Sequence, residues 1–520
     1  MLEKVGIFIL FLGPLVFFHE LGHFFFARLF GVRVEVFSIG FGPKILKFKK
    51  GFTEYAVSLI PLGGYVKMFG DDPLKRDEIN EADRQHSFTY KSKWARFWIV
   101  LGGPLANFIM AYVIFFFLFL MGETIPQMKV GRITEGSKLH QIGLRSGDVL
   151  QKVNGDEVYN PTDIVYDQVK SIELSRNKQK ININTNIPGN SFFEEFVKNP
   201  FSLRKPFLVD KMGKKFILSF SPDKVDLDLS FSEMLHLYRG KTTGYIYPYN
   251  PEWQKTKETQ IQANFVRQLN IVTSSEADLF RTLRLNDLYP VDLLVKSVNM
   301  NSPADNAKIQ KDDIIVSLGG VSTYSFEDIR SKLQEVKNEK VQLGFIHQGK
   351  IKTVEIKPDV KQIGESYVRL IGVYSAGEFI KIKFVQTASK GFFKSLWVGG
   401  SRTWETIVKT LAGFKKLITA EVSIKSIGGP LAIGKVASDS FSIGLSYFFQ
   451  LMAMISVNLG VINLFPIPVL DGGHIMFLFF EWVNRGPLSR RKMEMAQTLG
   501  LSLLLMLMVG AIFNDFTRFF

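Results

Sequence analysis

Near the start of the chain, His19-Glu20-Leu21-Gly22-His23 sets two imidazoles four residues apart with a carboxylate beside them. On a helix, positions i and i+4 share a face, so both rings can reach one ion. Imidazole nitrogens suit zinc, which activates water at neutral pH, and Glu20 stands where it can accept that water's proton. With seven His in 520 residues, a chance match to this pattern is on the order of one in a hundred. The setting adds weight. His19, Glu20 and His23 interrupt the otherwise apolar run Val5–Ala27, and ionisable groups in such a run are costly unless they function or find partners.

Two His leave the ion short of a third protein ligand. Asp471 is the only acid from Ser440 to Phe480 and is the preferred candidate, with His474 as its rival. His23 lies five residues before Arg28 and Asp471 ten before Glu481, so the two stand at comparable depth if both segments run the same way. Pro466, Pro468, Gly472 and Gly473 should break the helix around Asp471, and non-helical backbone at that depth implies a polar cavity. Asn458 and Asn463 lie on the same segment. They read either as glue between helices or as groups that hold the backbone of an unwound substrate.

The elements that must position these residues are mostly membrane-spanning. The chain has 48 Phe, and its apolar residues gather in Val5–Ala27, Phe97–Met121, Ser440–Leu470 and Ala496–Phe513. A span needs about 20 apolar residues, so four transmembrane helices are expected. The first run is too long for a signal-peptide core, and no small-residue cleavage site follows it. The formal net charge is +15, yet its placement argues against nucleic acid. Lys44, Lys47, Lys49, Lys50, Lys67, Lys91, Lys93 and Arg96 lie between the first two spans, and Arg485, Arg490, Arg491 and Lys492 between the last two. These loops are expected to face the cytoplasm, with both termini and the central region outside. There are no Cys, which excludes disulfides and thiolate ligands.

Val32–Phe69 has strand character, with Glu54-Tyr55-Ala56-Val57-Ser58 followed by a Pro/Gly turn, and is too apolar for an ordinary loop. The central region, Gly122 to Gly377, contains a repeat. Ser137–Asp148 aligns with Ser302–Asp313 at an offset of 165, each followed by aliphatic residues and then Asn154-Gly155 or Gly319-Gly320. Each copy resembles a PDZ domain. The reading is a first copy over 122–225, an insertion of unassigned structure over 226–284 and a second copy over 285–377. Beyond it, Phe393, Trp397, Trp404, Val408 and Leu411 recur near helical spacing among Lys394, Arg402, Lys409, Lys415 and Lys416. That pattern predicts an amphipathic membrane-surface helix within 378–437. The third span is then expected over 438–483, a cytoplasmic loop over 484–495 and the fourth span over 496–520.

The combination of His19-Glu20-x-x-His23 in the first span with Leu470-Asp471-Gly472-Gly473 in a late one resembles the site-2 protease family of intramembrane zinc metalloproteases. Pro61–Lys67, Gly103–Phe108, Gly428-Gly-Pro430, Ser456–Gly460, Asn463–His474 and Phe513–Phe516 extend the resemblance over both ends of the chain. It implies zinc held by His19, His23 and Asp471, with Glu20 as the base. It also implies tandem extracytoplasmic PDZ domains in a bacterial inner-membrane protein. A membrane-associated β-hairpin would engage substrate as an added strand through Glu54, Tyr55, Ala56, Val57 and Ser58. Asn458, Asn463, Pro466 and Pro468 complete the expected substrate path. The implied partners are single-span membrane proteins such as a truncated anti-sigma factor, the lipid bilayer, and peptide C-termini at the PDZ grooves. The alternatives are a metal-binding transporter or sensor, which has no need of Glu20, and an inactive PDZ scaffold, which has no need of the four-residue set.

Overall fold

The computed structural model describes residues 2–71, 79–133, 136–158, 164, 166–176, 179–192, 203–240, 243–254, 260–336, 340–363, 366–381, 383–419, 428–486 and 489–519. They form two compact units, Met1–Ile125 with Phe384–Phe520, and Pro126–Lys383.

The first unit is built on helices α1 (Leu2–Leu29), α2 (Lys93–Met121), α3 (Phe392–Ile418), α4 (Pro430–Ile443), α5 (Leu445–Asn463), α6 (Asp471–Val483) and α7 (Arg490–Phe519). Stretches of α1, α2, α5 and α7 are long and apolar enough to cross a membrane. Lipid gives helices no hydrophobic reason to associate, so close backbone approach must do much of that work. The crossing of α1 on α2 meets this demand at Gly22, where a Cβ would come within 2.0 Å of the Gly102 carbonyl oxygen. Nearer the other ends, Phe11, Leu15, Met110, Phe448 and Met452 pack together, with the Phe11 and Phe448 rings edge-on at 5.4 Å.

The late segment departs from a single span over 438–483. The boundary expected at 437/438 falls inside α4, and the chain breaks at Gly444 (φ 151°) before α5 begins. A second break follows over 464–470, where Pro466 and Pro468 cannot continue a helix, and α6 starts at Asp471. Asp515 on α7 is fully buried and accepts hydrogen bonds from the backbone N–H groups of Gly429, Leu431 and Ala432 at 2.9, 2.9 and 3.1 Å. It caps α4 from another helix, supplying acceptors around Pro430, which has no N–H of its own. On α3, Gly399 packs on the α2 backbone at Phe116, while Phe393, Trp397 and Trp404 point away from the unit.

Strands β1 (Val34–Lys50) and β2 (Thr53–Met68) are long enough to fold on one another more than once. Residues 34–39 pair with 64–68 on one side and with 54–57 on the other, while 44–50 close on the far side of 53–58. The sheet therefore runs 64–68, 34–39, 54–58, 44–50. This corrects the expected substrate-strand role of Glu54, Tyr55, Ala56, Val57 and Ser58. The backbone of 54–57 is already paired on both sides and offers no free edge, while Ser58 pairs with Lys44 alone. Ala56 and Ser58 are also buried, and the Ser58 hydroxyl bonds that of Ser38 at 3.0 Å.

In the second unit the two copies of the repeat match in detail. Ser137 caps a short helix by accepting from His140 N–H, and Ser302 does so from Asp305 N–H. Asp148 accepts from Arg145 N–H and Asp313 from Gln310 N–H, both at 2.8 Å. The bridges Lys129 to Val149 and Leu294 to Ile314 also differ by the repeat offset of 165. Each copy carries a four-stranded antiparallel sheet, over 149–188 and 314–356. Between them stands a five-stranded sheet of Arg267–Asn270, Thr243–Pro248, Lys215–Ser219, Phe207–Asp210 and Leu288–Pro290, in that order. The boundary expected at 225/226 is therefore too late. Phe207, Leu208 and Ile217 are core residues of this sheet, not of the first copy. Arg204 pairs with buried Asp292 at 2.5 Å, and Asp292 also accepts from Phe326 N–H at the start of helix Phe326–Glu335. Burial pushes the Asp292 carboxyl up, against the pull of Arg204.

Candidate active site

The face of α1 that carries His19 and His23 follows from helix geometry. His19 and His23 sit one turn apart with rings edge-on at 4.9 Å. Asp471 is the first residue of α6, placed there by the break over 464–470. Gly472 and Gly473 let that loop fold back on the helix start, since a Cβ on either would come within 2.3 Å of a backbone carbonyl of Leu464, Phe465 or Ile467. Val469 adopts φ 91°, a conformation a β-branched residue strongly disfavours, two residues before Asp471. A side chain on Gly500 of α7 would meet Pro468, so the last helix packs directly on this loop.

Asp471 Oδ2 lies 3.4 Å from His19 Nε2, and Oδ1 lies 3.4 Å from His23 Nε2. Zinc bonds of about 2.0–2.1 Å in a tetrahedron set neighbouring ligand atoms about 3.3–3.4 Å apart. Oδ2 is buried with no hydrogen-bond partner, an arrangement that is costly unless a cation completes it. His23 Nδ1 meets the Ile99 carbonyl oxygen at 2.9 Å. It can only donate there, which leaves the Nε2 lone pair facing the centre. The donor set fits zinc. Among the described residues His19, His23 and Asp471 are the group that comes together, and His474, the rival ligand, is not in it. Its ring packs instead edge-on to Phe477.

Glu20 is 8% exposed. A Cβ on Gly64 would lie 2.9 Å from Glu20 Cγ and 2.8 Å from Val16 Cγ1, so the strand 64–68 runs against α1 beside the carboxylate. On the opposite wall, a Cβ on Gly103 would lie 2.3 Å from His23 Nε2 and 2.7 Å from His19 Cε1. One turn on, the fully buried Asn107 places its side-chain amide 3.2 Å from His19 Nδ1. Neither Gly103 nor Asn107 was given a site role from the sequence, although both lie in the stretch Gly103–Phe108 that carries the resemblance. The available signal was an amide and paired glycines inside the chargeless run Phe97–Met121, where a polar group needs a reason. Of the expected substrate residues, Asn458 accepts a hydrogen bond from Thr410 Oγ1 of α3 at 2.6 Å, which is the helix-glue alternative. Asn463 ends α5, with Pro466 and Pro468 in the loop that follows.

At the far end of α6, Glu481 pairs with Arg96 of α2 at 2.7 Å, and its carbonyl accepts from Lys93 Nζ at 2.9 Å. The helix that starts with Asp471 is thus tied at its other end to the helix that carries Gly103 and Asn107.

The chain is 30% identical over 519 residues to the protease RseP of Yersinia pestis, covering 99% of each chain. It is 29% identical over 512 residues to the regulator of sigma-E protease RseP of Escherichia coli K12, covering 98% of each. A solved PDZ domain of an SdrC-like protein from Listeria monocytogenes matches 16% of this chain and 88% of its own at 21% identity, with a TM-score of 0.15. The model of peptidase family M50 matches residues 7–507, a span that takes in His19, His23 and Asp471, and the chain belongs to that family.

Proposed function

We propose that this multi-pass inner-membrane protein is a zinc endopeptidase that cuts single-span membrane proteins within the bilayer. The observation that carries the reading is the convergence of His19, His23 and Asp471, whose two carboxylate oxygens each lie 3.4 Å from one imidazole Nε2, with Glu20 next to His19 on the same helix. Bound zinc supplies Lewis acidity that makes water nucleophilic at neutral pH. Glu20 accepts the proton that water loses on attacking the scissile carbonyl and passes it to the departing amine. A transporter or sensor has no use for a buried carboxylate at that position.

A helical substrate hides its peptide bonds and must be extended before attack. The strand 64–68 supports that step. It is paired on one side only among the described residues, and Gly64 brings it against Glu20. The substrate adds as a strand along this edge, not along 54–58. Asn463, Pro466 and Pro468 line the path from the other side. The basic loops face the cytoplasm, and the repeated PDZ-like modules stand outside, excluding substrates with bulky outer domains and receiving peptide C-termini. Two of the relatives are named regulator of sigma-E protease RseP, and a shortened anti-sigma factor is the proposed substrate class.

The deciding experiment compares wild type, Glu20→Gln and Asp471→Asn on a truncated single-span reporter in liposomes. Wild type should cut it, chelation should stop cutting, and both variants should be inactive though folded. Undiminished cleavage by Glu20→Gln would remove the base from the mechanism and reopen the transporter reading.

A further inference from the structure

Asn107 has a task at the metal site that its position as an uncharged residue in α2 does not announce. Its side chain is fully buried, so it touches no substrate. It is held in place from two sides. Ser456 Oγ of α5 donates to its backbone carbonyl at 2.8 Å, and its amide reaches His19 Nδ1 at 3.2 Å.

As placed, Nδ2 of Asn107 faces Nδ1 of His19, while Oδ1 is buried with no hydrogen-bond partner. An Nδ2 donor there requires a lone pair on Nδ1. The ring proton would then sit on Nε2, the atom 3.4 Å from Asp471 Oδ2, and His19 would have nothing to offer a cation. The two ends of a carboxamide have nearly the same shape, so rotating it by half a turn alters no packing. In the rotated form Nδ1–H donates to Oδ1. The orphaned oxygen gains a partner, and the Nε2 lone pair turns to the centre. His23 already has this arrangement, with Nδ1 at 2.9 Å from the Ile99 carbonyl. Ile99 and Asn107 both belong to α2, as does Gly103, whose missing side chain leaves room for both rings.

We infer that Asn107 is a positioning residue that accepts a hydrogen bond from His19 Nδ1–H through Oδ1 and so holds Nε2 free to bind zinc. The inference rests on the metalloprotease reading and adds that α2 fixes the proton on both imidazoles, once through a backbone carbonyl and once through an amide. Such outer partners typically alter metal affinity 10- to 100-fold.

The test is zinc affinity of the full-length protein in detergent, measured by competition with a chromophoric chelator. Asn107→Leu and Asn107→Ala both remove the acceptor, the second without adding apolar bulk, and Asn107→Asp retains it. Zinc-free thermal unfolding of each variant reports on folding independently of the metal. Both acceptor-less variants should bind zinc about 10- to 100-fold more weakly, with Asn107→Asp within a few-fold of wild type. If Asn107→Ala or Asn107→Leu is folded and binds zinc as tightly as wild type, the positioning role is wrong and the metalloprotease reading stands. Equal loss in Asn107→Asp and Asn107→Ala also overturns it, because an acceptor would then not be what matters. Wild type failing to bind zinc more tightly than Asp471→Asn would overturn the site itself, and this inference with it.

Discussion

Gly103→Ala should damage the metal site while leaving the helix that carries it as stable as before. The added Cβ would lie 2.3 Å from His23 Nε2 and 2.7 Å from His19 Cε1, whereas ordinary contacts begin near 3.4 Å. The rings must therefore retreat by about 1 Å, while metal–ligand distances tolerate about 0.2 Å. A displacement of that size costs about 10²-fold in rate, or about 2.7 kcal/mol, and zinc affinity should fall with it. Alanine is at the same time the better helix former by about 0.8–1 kcal/mol, so zinc-free stability should hold or rise slightly. Gly13→Ala is the control, because nothing lies within 4 Å of its added Cβ and it sits on the same helix as His19. Zinc content after purification, reporter cleavage and thermal unfolding would be read on all three proteins. Retention by Gly103→Ala of zinc within twofold of wild type, with undiminished cleavage, would refute the claim that α2 backbone forms a wall of the site.

Removing zinc should lower the unfolding temperature, since a ligand at 1,000 times its Kd stabilises by about 4 kcal/mol; Asp471→Asn should show no such difference between chelated and zinc-supplemented samples. Asp515→Ala strips the acceptor from three N–H groups at the start of α4, and denaturant unfolding should report a loss of about 2 kcal/mol. Val66→Pro removes the strand N–H that bonds the Glu20 carboxylate and should impair cleavage with zinc content unchanged. His236, in the second unit, is held below the usual histidine range by burial and by Arg176 and Arg145. The unfolded chain therefore takes up this proton first, so stability should fall as pH drops below about 6.5; His236→Gln should flatten that slope in melts between pH 5 and 8.

Much of the candidate site was legible because local chemistry spelled it. The i, i+4 spacing of His19 and His23 needs only a helix, and the prolines before Asp471 forecast the break that places it. The Ser and Asp of each repeat could be matched because the same turn, capped by the same groups, was built twice. What escaped depended on tertiary pairing. Glu54–Ser58 has the alternation of any strand, and nothing in it says that β1 would curl to flank it on both sides. The five-stranded sheet begins at Phe207, where a short hairpin of 207–210 and 215–219 is completed only by strands 243–248 and 288–290, far along the chain. Asn107 is polar in an apolar run, but its distance from His19 is set by the crossing at Gly22 and Gly102.

That crossing explains why the site is assembled through glycine. A soluble enzyme can hold a metal centre by burying a large apolar core around it, but a helix leaving lipid for another helix gains little from the exchange. What remains is contact distance and hydrogen bonding. Gly22 and Gly102 let α1 and α2 touch, Gly103 clears the imidazoles, Gly472 and Gly473 fold the Asp471 loop tightly, Gly500 seats α7 on it, and Gly64 admits the strand to Glu20. Each sits where a single Cβ would push a functional atom or its support away. The polar ties, Asn107 to His19, Ile99 to His23 and Arg96 to Glu481, all end on α2. This helix lacks a metal ligand and a base, yet it sets the geometry of both other partners. Substitutions on α2 should therefore be felt first as lost zinc affinity, whereas those on strand 64–68 should be felt first as lost substrate turnover.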